Sequence, residues 1–148
     1  SRRRHTRFRN VTGVQTCALP ISGTKTRYAF GNTITTDQAN YDGSKDSPPG
    51  RNLQMPVAVG SYSPNAWGLY DMHGNVAEWV ADCNQNYREM PSDGSRAPER
   101  QGCARVVRGG EWHSAADALR SAARDAARSD ADGSNIGFRI ARKNSDGR

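Results

Sequence analysis

The apolar residues of this chain come in short runs that end at turns, a pattern that argues against a fold of long helices. Tyr28-Ala-Phe30 ends at Gly31-Asn32, and Arg105-Val-Val-Arg108 ends at Gly109-Gly110. Gly and Asn supply the backbone conformations that tight turns require. With 15 glycines and a hydrophobic content of only 34% over 148 residues, the sequence predicts one turn-rich domain.

Three segments are predicted to be β-strands. The most strand-like is Val76–Val80, in which Val76, Glu78 and Val80 are expected on one face and Ala77 and Trp79 on the other. A second strand is Arg105–Arg108. The third is Ile136–Arg142, whose apolar side chains are expected to share one face: Ile136, Phe138 and Ile140.

The Ala-rich segment Ser114–Arg128 is compatible with two structures. Ser114 followed by Asp117 forms a capping box, which together with the alanines favours a helix. The residues from Leu119 to Arg124 alternate as a strand would. The residues alone leave both structures open.

The net charge of +6 suggests a nucleic-acid partner only until the charges are located. Five arginines lie in the first 22 residues, which contain no acidic residue. Removing these five from the 21 basic residues leaves 16, against 15 acidic ones. The remaining chain is nearly neutral, so we expect no nucleic-acid partner. It has no apolar run of membrane-spanning length and no visible secretory signal, so we expect no membrane partner either.

The first 22 residues have neither helical nor strand periodicity. Val11–Ser22 resembles a translated sequencing-adapter peptide, so we interpret Ser1–Ser22 as non-native sequence. The domain is then expected over residues 23–142, followed by a tail at 143–148.

Two cysteines remain outside that segment, Cys83 and Cys103. Their separation does not match a zinc site, which requires CxxC-type pairs. They are either two reduced thiols or one disulfide closing the polar loop Asn84–Gly102. A disulfide implies an exported or periplasmic protein; otherwise the compartment is unknown.

The longest motif of the chain is Gly68-Leu-Tyr-Asp-Met-His-Gly-Asn-Val-Ala-Glu-Trp79. Together with six shorter motifs, in the same order and spacing, it makes the chain resemble the formylglycine-generating-enzyme (sulfatase-modifying factor) family. The resemblance covers about Thr24 to Arg142. The shorter motifs are Tyr28–Gly31, Ala39-Asn40, Val59–Asn65, Arg108–Trp112, Leu119–Arg124 and Asn135–Arg139.

The resemblance implies an α+β, C-type-lectin-like fold that is irregular and loop-rich. The family's N-terminal part would precede Thr24, so we expect an N-terminally truncated domain. The family is extended at the positions of Leu119–Arg124, which favours a strand there after a turn or short helix at Ser114–Ala118.

A calcium site is expected between Asp71 and Glu78. A Gly-Asn turn entering a strand can aim the carbonyls of Gly74 and Val76 and the Glu78 carboxylate at one point, with Asp71 completing the set. The resemblance implies calcium at these four positions. The alternative is that Asp71 caps a turn and Glu78 pairs with an arginine.

The resemblance also implies a weaker second calcium site at Asn40. The acidic ligand that this site needs aligns poorly. Arg51 falls near the expected position, and Asp46 is the nearest acid.

The copper site of the family is where the resemblance fails. Formylglycine-generating enzymes hold copper between two cysteines shortly after the Arg-Gly-Gly motif, because soft thiolates suit Cu(I). Glu111–Arg128 contains no cysteine, and Glu111 stands where the enzymes have Ser. Copper is therefore not expected as a cofactor.

The resemblance implies that the segment Glu111–Arg128, here called the cleft segment, lines the active cleft of the family. Three of its residues remain as weak catalytic candidates: His113, Glu111 and Arg124. His73 is a weaker candidate still. Four arginines are expected to form internal ion pairs with acids such as Asp82 and Glu111. They are Arg108, Arg120, Arg124 and Arg139.

The sequence thus predicts a calcium-stabilised family member of bacterial type without copper-dependent cysteine oxidation, its substrate unknown. The alternative is a ligand-binding, lectin-like module, such as a variable protein made by a diversity-generating retroelement. Either could hold a protein or peptide ligand in its cleft.

Overall fold

The computed structural model describes residues 25–91, 98–128, 131 and 133–140. The segment Ser1–Ser22 and the tail at 143–148, both set apart on sequence grounds, lie outside the described residues.

Four strands form one mixed sheet in the order β3-β2-β1-β4. β1 is Ala77–Cys83, β2 is Arg105–Arg108, β3 is Asp125–Ala127 and β4 is Ile136–Gly137. β2 pairs antiparallel with both β1 and β3, whereas β4 runs parallel to β1. Long irregular segments connect these strands, as the glycine-bounded pattern predicts.

The helices of the described residues are all short 3-10 turns: Gly43–Lys45, Tyr87–Glu89 and Ala116–Leu119. In this part of the chain, no helix has the length and apolar character needed to span a bilayer.

The central strands agree with the sequence pattern, with shifts at their ends. The prediction for Arg105–Arg108 is confirmed. The predicted strand at Val76–Val80 begins one residue later and extends to Cys83. β4 is shorter than predicted, because Ile136 and Gly137 are the only described residues of this segment that pair with β1. Phe138 and Ile140 are 73% and 87% exposed, so the expected shared face is not buried.

The strand predicted at Leu119–Arg124 is wrong, whereas a short helix forms just before it. Leu119 closes the 3-10 turn that begins at Ala116, and the next strand starts only at Asp125. The reason is tertiary. The Leu119 side chain is fully buried, and its carbonyl lies 2.7 Å from Nδ1 of His73. These contacts hold Leu119 away from the sheet.

Leu119 belongs to a core cluster beside the sheet. The other buried members come from the first part of the described chain, and they are Tyr28, Ile34, Ala39 and Tyr41. His73 is also buried, and its Nε2 accepts a hydrogen bond from the Ala29 N–H at 3.0 Å. The core thereby fixes the turn that contains the predicted calcium residues.

Candidate functional site

The turn before β1 is built from backbone conformations that few residues adopt. Gly74 has φ +74°, and Asn75 and Asp71 have φ 68° and 53°. A Cβ on Gly74 would lie 2.3 Å from the Asn40 carbonyl oxygen. Glycine is therefore required at residue 74, while Asn and Asp are the side chains that tolerate this region best.

Asn75 connects this turn to three other segments. Its N–H donates to the Asn40 carbonyl at 2.8 Å, and its carbonyl accepts from the Trp112 N–H at 3.0 Å. Its side-chain amide exchanges two hydrogen bonds with the backbone of Val57. No sequence pattern identifies Asn75 as the residue that joins these segments. The Gly-Asn signal predicted the turn, but nothing local revealed its distant partners.

The two carboxylates of the predicted calcium set have protein partners. Asp71 Oδ2 accepts a hydrogen bond from the Gly60 N–H at 2.7 Å. Both Glu78 oxygens accept from Arg139, through Nε at 2.6 Å and through Nη2. The Glu78 hydrogen bonds raise the pKa of the Arg139 guanidinium. Glu78 therefore reaches calcium only by leaving Arg139 or by sharing it.

The donor types of Asp71, Gly74, Val76 and Glu78 fit a hard cation, because carboxylate and carbonyl oxygens are what calcium prefers. Among the residues that the structure describes, no group of three or more His, Cys, Asp or Glu is placed to hold a metal ion. The two carbonyls would therefore have to supply half of the protein ligands.

Asn40 lies against this turn, although the sequence assigned it to a separate site. Its side chain is buried, and Nδ2 donates to the Met55 carbonyl and to Asn75 Oδ1. Its Oδ1 has no hydrogen-bond partner among the described residues. Asp46, the nearest acid, accepts from Tyr41. Arg51, which stands near the position expected for the acid, pairs with Asp37. Asn40 therefore offers a buried donor oxygen without its expected acid.

Glu111 and His113 form a pair in the cleft segment after β2. His113 Nε2 lies 3.2 Å from Glu111 Oε1, and the imidazole packs edge-on against Trp112 at 4.7 Å between centroids. Glu111 Oε2 is buried and has no hydrogen-bond partner in the described part of the chain. The pair can share a proton, which is the minimum that acid–base chemistry needs.

Arg124, the third catalytic candidate, belongs to a different cluster. Its guanidinium carbon lies 3.7 Å from the Tyr87 ring centroid, and its Nη2 donates to the Gln85 carbonyl at 2.6 Å. No contact of the described residues joins Arg124 to Glu111 or His113. No local sequence pattern points to Tyr87, which lies 37 positions away from Arg124.

The expected internal ion pairs of the arginines are realised in part. Arg139 forms an ion pair with Glu78, whereas the described partner of the Glu111 carboxylate is His113. Arg120 Nε donates to the Asp117 carbonyl, and Arg124 likewise donates to a carbonyl. Backbone carbonyls thus accept hydrogen bonds from two arginines for which the sequence predicts carboxylate partners.

Cys83 and Cys103 are joined in a disulfide. This is the second of the two alternatives that the sequence left open. Cys83 is fully buried at the end of β1. Because no cysteine occurs between Glu111 and Arg128, this cleft segment provides no thiolate.

An open cleft of about 470 Å³ lies between the Tyr87 turn and the segment that precedes β3. Three alanines form part of its wall. Its polar lining consists of Asn84, Tyr87, Asp117, Arg120 and Arg124.

The mixed sheet, the irregular connections and the folds of similar solved structures define an α+β domain of the C-type-lectin-like type. The chain matches the family described as "Sulfatase-modifying factor enzyme 1-like domain" over residues 16–144. It belongs to this family, as the resemblance of its motifs to the formylglycine-generating enzymes implied.

Individual relatives carry several names. The chain is 40% identical over 122 residues to serine/threonine-protein kinase pkn1 of Chlamydia caviae, covering 80% of this chain and 18% of the kinase. It is 34% identical over 128 residues to the formylglycine-generating enzyme of Streptomyces coelicolor, covering 78% of this chain and 40% of the enzyme.

A similar solved structure is Treponema denticola variable protein 1, with a TM-score of 0.63 and 29% identity over 78% of this chain and 40% of that protein. The chain therefore spans less than half the length of each of these three relatives.

Proposed function

We propose that this chain is a formylglycine-generating-enzyme-like domain that does not perform copper-dependent cysteine oxidation. The observation that carries the proposal is the position of the cysteines. Glu111–Arg128 contains none, and Cys83 and Cys103 are bonded to each other. Cu(I) requires soft ligands, and a disulfide offers no thiolate.

The test is an oxidation assay on the full chain. The protein is incubated with Cu(I), oxygen and a cysteine peptide of the sulfatase type, and peptide mass spectrometry follows conversion of the thiol to an aldehyde. The formylglycine-generating enzyme of Streptomyces coelicolor serves as the positive control. We expect no conversion above the protein-free blank. Copper-dependent aldehyde formation by this chain would refute the proposal.

Calcium binding at the turn from Asp71 to Glu78 is the second part of the proposal. Its support is the oxygen-rich donor set of Asp71, Gly74, Val76 and Glu78. The buried Asn40 Oδ1, which lacks a partner among the described residues, supports the weaker second site. Calcium would bind the oxygens of the donor set and stabilise the turn, in competition with the ion pair between Arg139 and Glu78.

The alternative function is a ligand-binding module without catalysis. Two observations favour it: the similarity to Treponema denticola variable protein 1 and the open cleft beside Tyr87 and Arg124. A protein or peptide is the proposed ligand. The disulfide further supports an exported or periplasmic protein, because such bonds persist in oxidising compartments.

Gene context discriminates the two functions. A near-identical template copy close to the gene, differing mainly at adenines, supports a variable binding module. A neighbouring sulfatase or methyltransferase gene supports an enzyme.

A further inference from the structure

The cleft of about 470 Å³ contains an arginine that is held in place before any ligand arrives. Tyr87 stacks on the Arg124 guanidinium at 3.7 Å, and the Gln85 carbonyl accepts from its Nη2. Tyr87 is itself fixed, because its hydroxyl donates to the Ala122 carbonyl at 2.6 Å. An arginine ordered in this way loses little conformational freedom when it binds a ligand.

The Arg124 guanidinium has hydrogen-bond donors without a described acceptor. Its Nε and Nη1 are buried and have no hydrogen-bond partner in the described part of the chain. A buried donor without an acceptor is unfavourable, and here it belongs to a charged group. Among the described residues, no carboxylate accepts a hydrogen bond from either of these nitrogens.

The other charged side chains of the cleft add to this positive potential. Arg120 is exposed, and the one hydrogen bond described for its side chain runs from Nε to the Asp117 carbonyl at 2.9 Å. Asp117 is the acidic residue of the cleft lining, and its carboxylate is paired with Arg27. The cleft thus presents two cations, while its described acid is already neutralised.

We infer that this cleft binds a carboxylate group of an acidic peptide, which the exposed Arg120 receives and the positive charge of the more buried Arg124 attracts. This inference rests on the ligand-binding function proposed above and specifies the chemistry of its ligand. Arginine forks match carboxylate geometry, and the alanine walls leave room for a peptide backbone. A nucleic acid needs an extended basic surface, whereas the chain after residue 22 is nearly neutral.

The experiment uses the full chain and two fluorescein-labelled, C-terminally amidated peptides, Gly-Ala-Glu-Ala-Glu-Ala-Gly and its glutamine counterpart. Fluorescence anisotropy measures both dissociation constants. We expect the glutamate peptide to bind about tenfold more tightly, as charge-assisted hydrogen bonds to arginine would give. Arg120→Gln and Arg124→Gln should each remove most of this preference.

Arg88→Gln is the matched control, because it removes the same charge from an exposed arginine that does not line the cleft. It should leave the preference intact. If Arg124→Gln fails to fold, the exposed Arg120→Gln variant still decides the question.

Other outcomes overturn the inference in distinguishable ways. If the two peptides bind equally and Arg120→Gln weakens both, the cleft has no carboxylate preference and the inference fails. The proposed ligand-binding function would still stand. If neither peptide binds, the inference fails, and the cleft no longer supports a ligand-binding function. If Arg88→Gln loses as much of the glutamate preference as Arg120→Gln, the attraction is nonspecific. If labelled oligothymidine binds more tightly than the glutamate peptide and Arg120→Gln weakens that binding, the ligand is a nucleic acid. The copper oxidation assay is independent of all these results.

Discussion

The carbonyl oxygen of Asn40 lies so close to Gly74 that a Cβ on residue 74 would meet it at 2.3 Å. The same carbonyl accepts the Asn75 N–H at 2.8 Å. Two segments that the sequence assigned to separate calcium sites are therefore packed directly together. A substitution that displaces either segment should therefore also displace the other.

Gly74→Ala should lower the free energy of unfolding by about 3 kcal/mol, measured by urea denaturation. The left-handed backbone contributes about 1–2 kcal/mol, and the contact with a backbone atom contributes a similar amount. Gly68→Ala is the control, since Gly68 has a similar φ of +76° but open space around its Cβ position. It should lose only the backbone contribution. Equal losses at both positions would contradict the close packing.

Calcium should raise the melting temperature of the full chain, and EDTA should lower it. A ligand at 100 times its dissociation constant adds about 2.7 kcal/mol to stability. Glu78→Gln should remove this calcium response, because it deletes a carboxylate ligand. Glu89→Gln should keep the response, since Glu89 is exposed and pairs with Arg100. If EDTA changes nothing, the calcium proposal fails and the ion pair with Arg139 accounts for Glu78.

Stability should fall in mild acid because of His73. Burial lowers the pKa of its imidazole from the ordinary 6.5, and a protonated ring would turn Nε2 towards the Ala29 N–H as a second donor. Between the folded and the unfolded pKa, the unfolded chain binds more protons. This stabilisation is therefore complete above pH 6.5 and is lost as the pH falls through 6.5 towards the folded pKa.

Urea denaturation from about pH 8 to about pH 5 measures this effect. His73→Gln should be less stable at the upper pH but should lose less on acidification. His113→Gln should keep the acid-side loss, since His113 is half exposed. The same acid-side loss in His73→Gln would exclude His73 as the cause.

Reduction with dithiothreitol should lower the free energy of unfolding by about 3 kcal/mol. The disulfide between Cys83 and Cys103 spans 20 positions, and chain entropy predicts a loss of this size. A Cys83→Ala/Cys103→Ala chain retains Cys17 and serves as the control. It should not respond to the reductant. An equal response would assign the effect to Cys17.

Local sequence determined the features that depend on a few neighbouring residues. The Gly74-Asn75 pair specified a turn because these residues tolerate left-handed backbone, and β2 stops where Gly109 and Gly110 follow it. The absence of cysteine from Glu111–Arg128 needed no structure to be recognised.

Only the tertiary structure decided which distant groups meet. Leu119–Arg124 alternates as a strand would, but Leu119 is buried in the core. The strand therefore forms later, at Asp125–Ala127. Glu78 finds Arg139 across 61 positions, and Arg124 finds Tyr87 across 37. The physical reason is one of range. Backbone preferences act within a turn, whereas ion pairs, ring stacking and core packing depend on where the whole chain places each side chain.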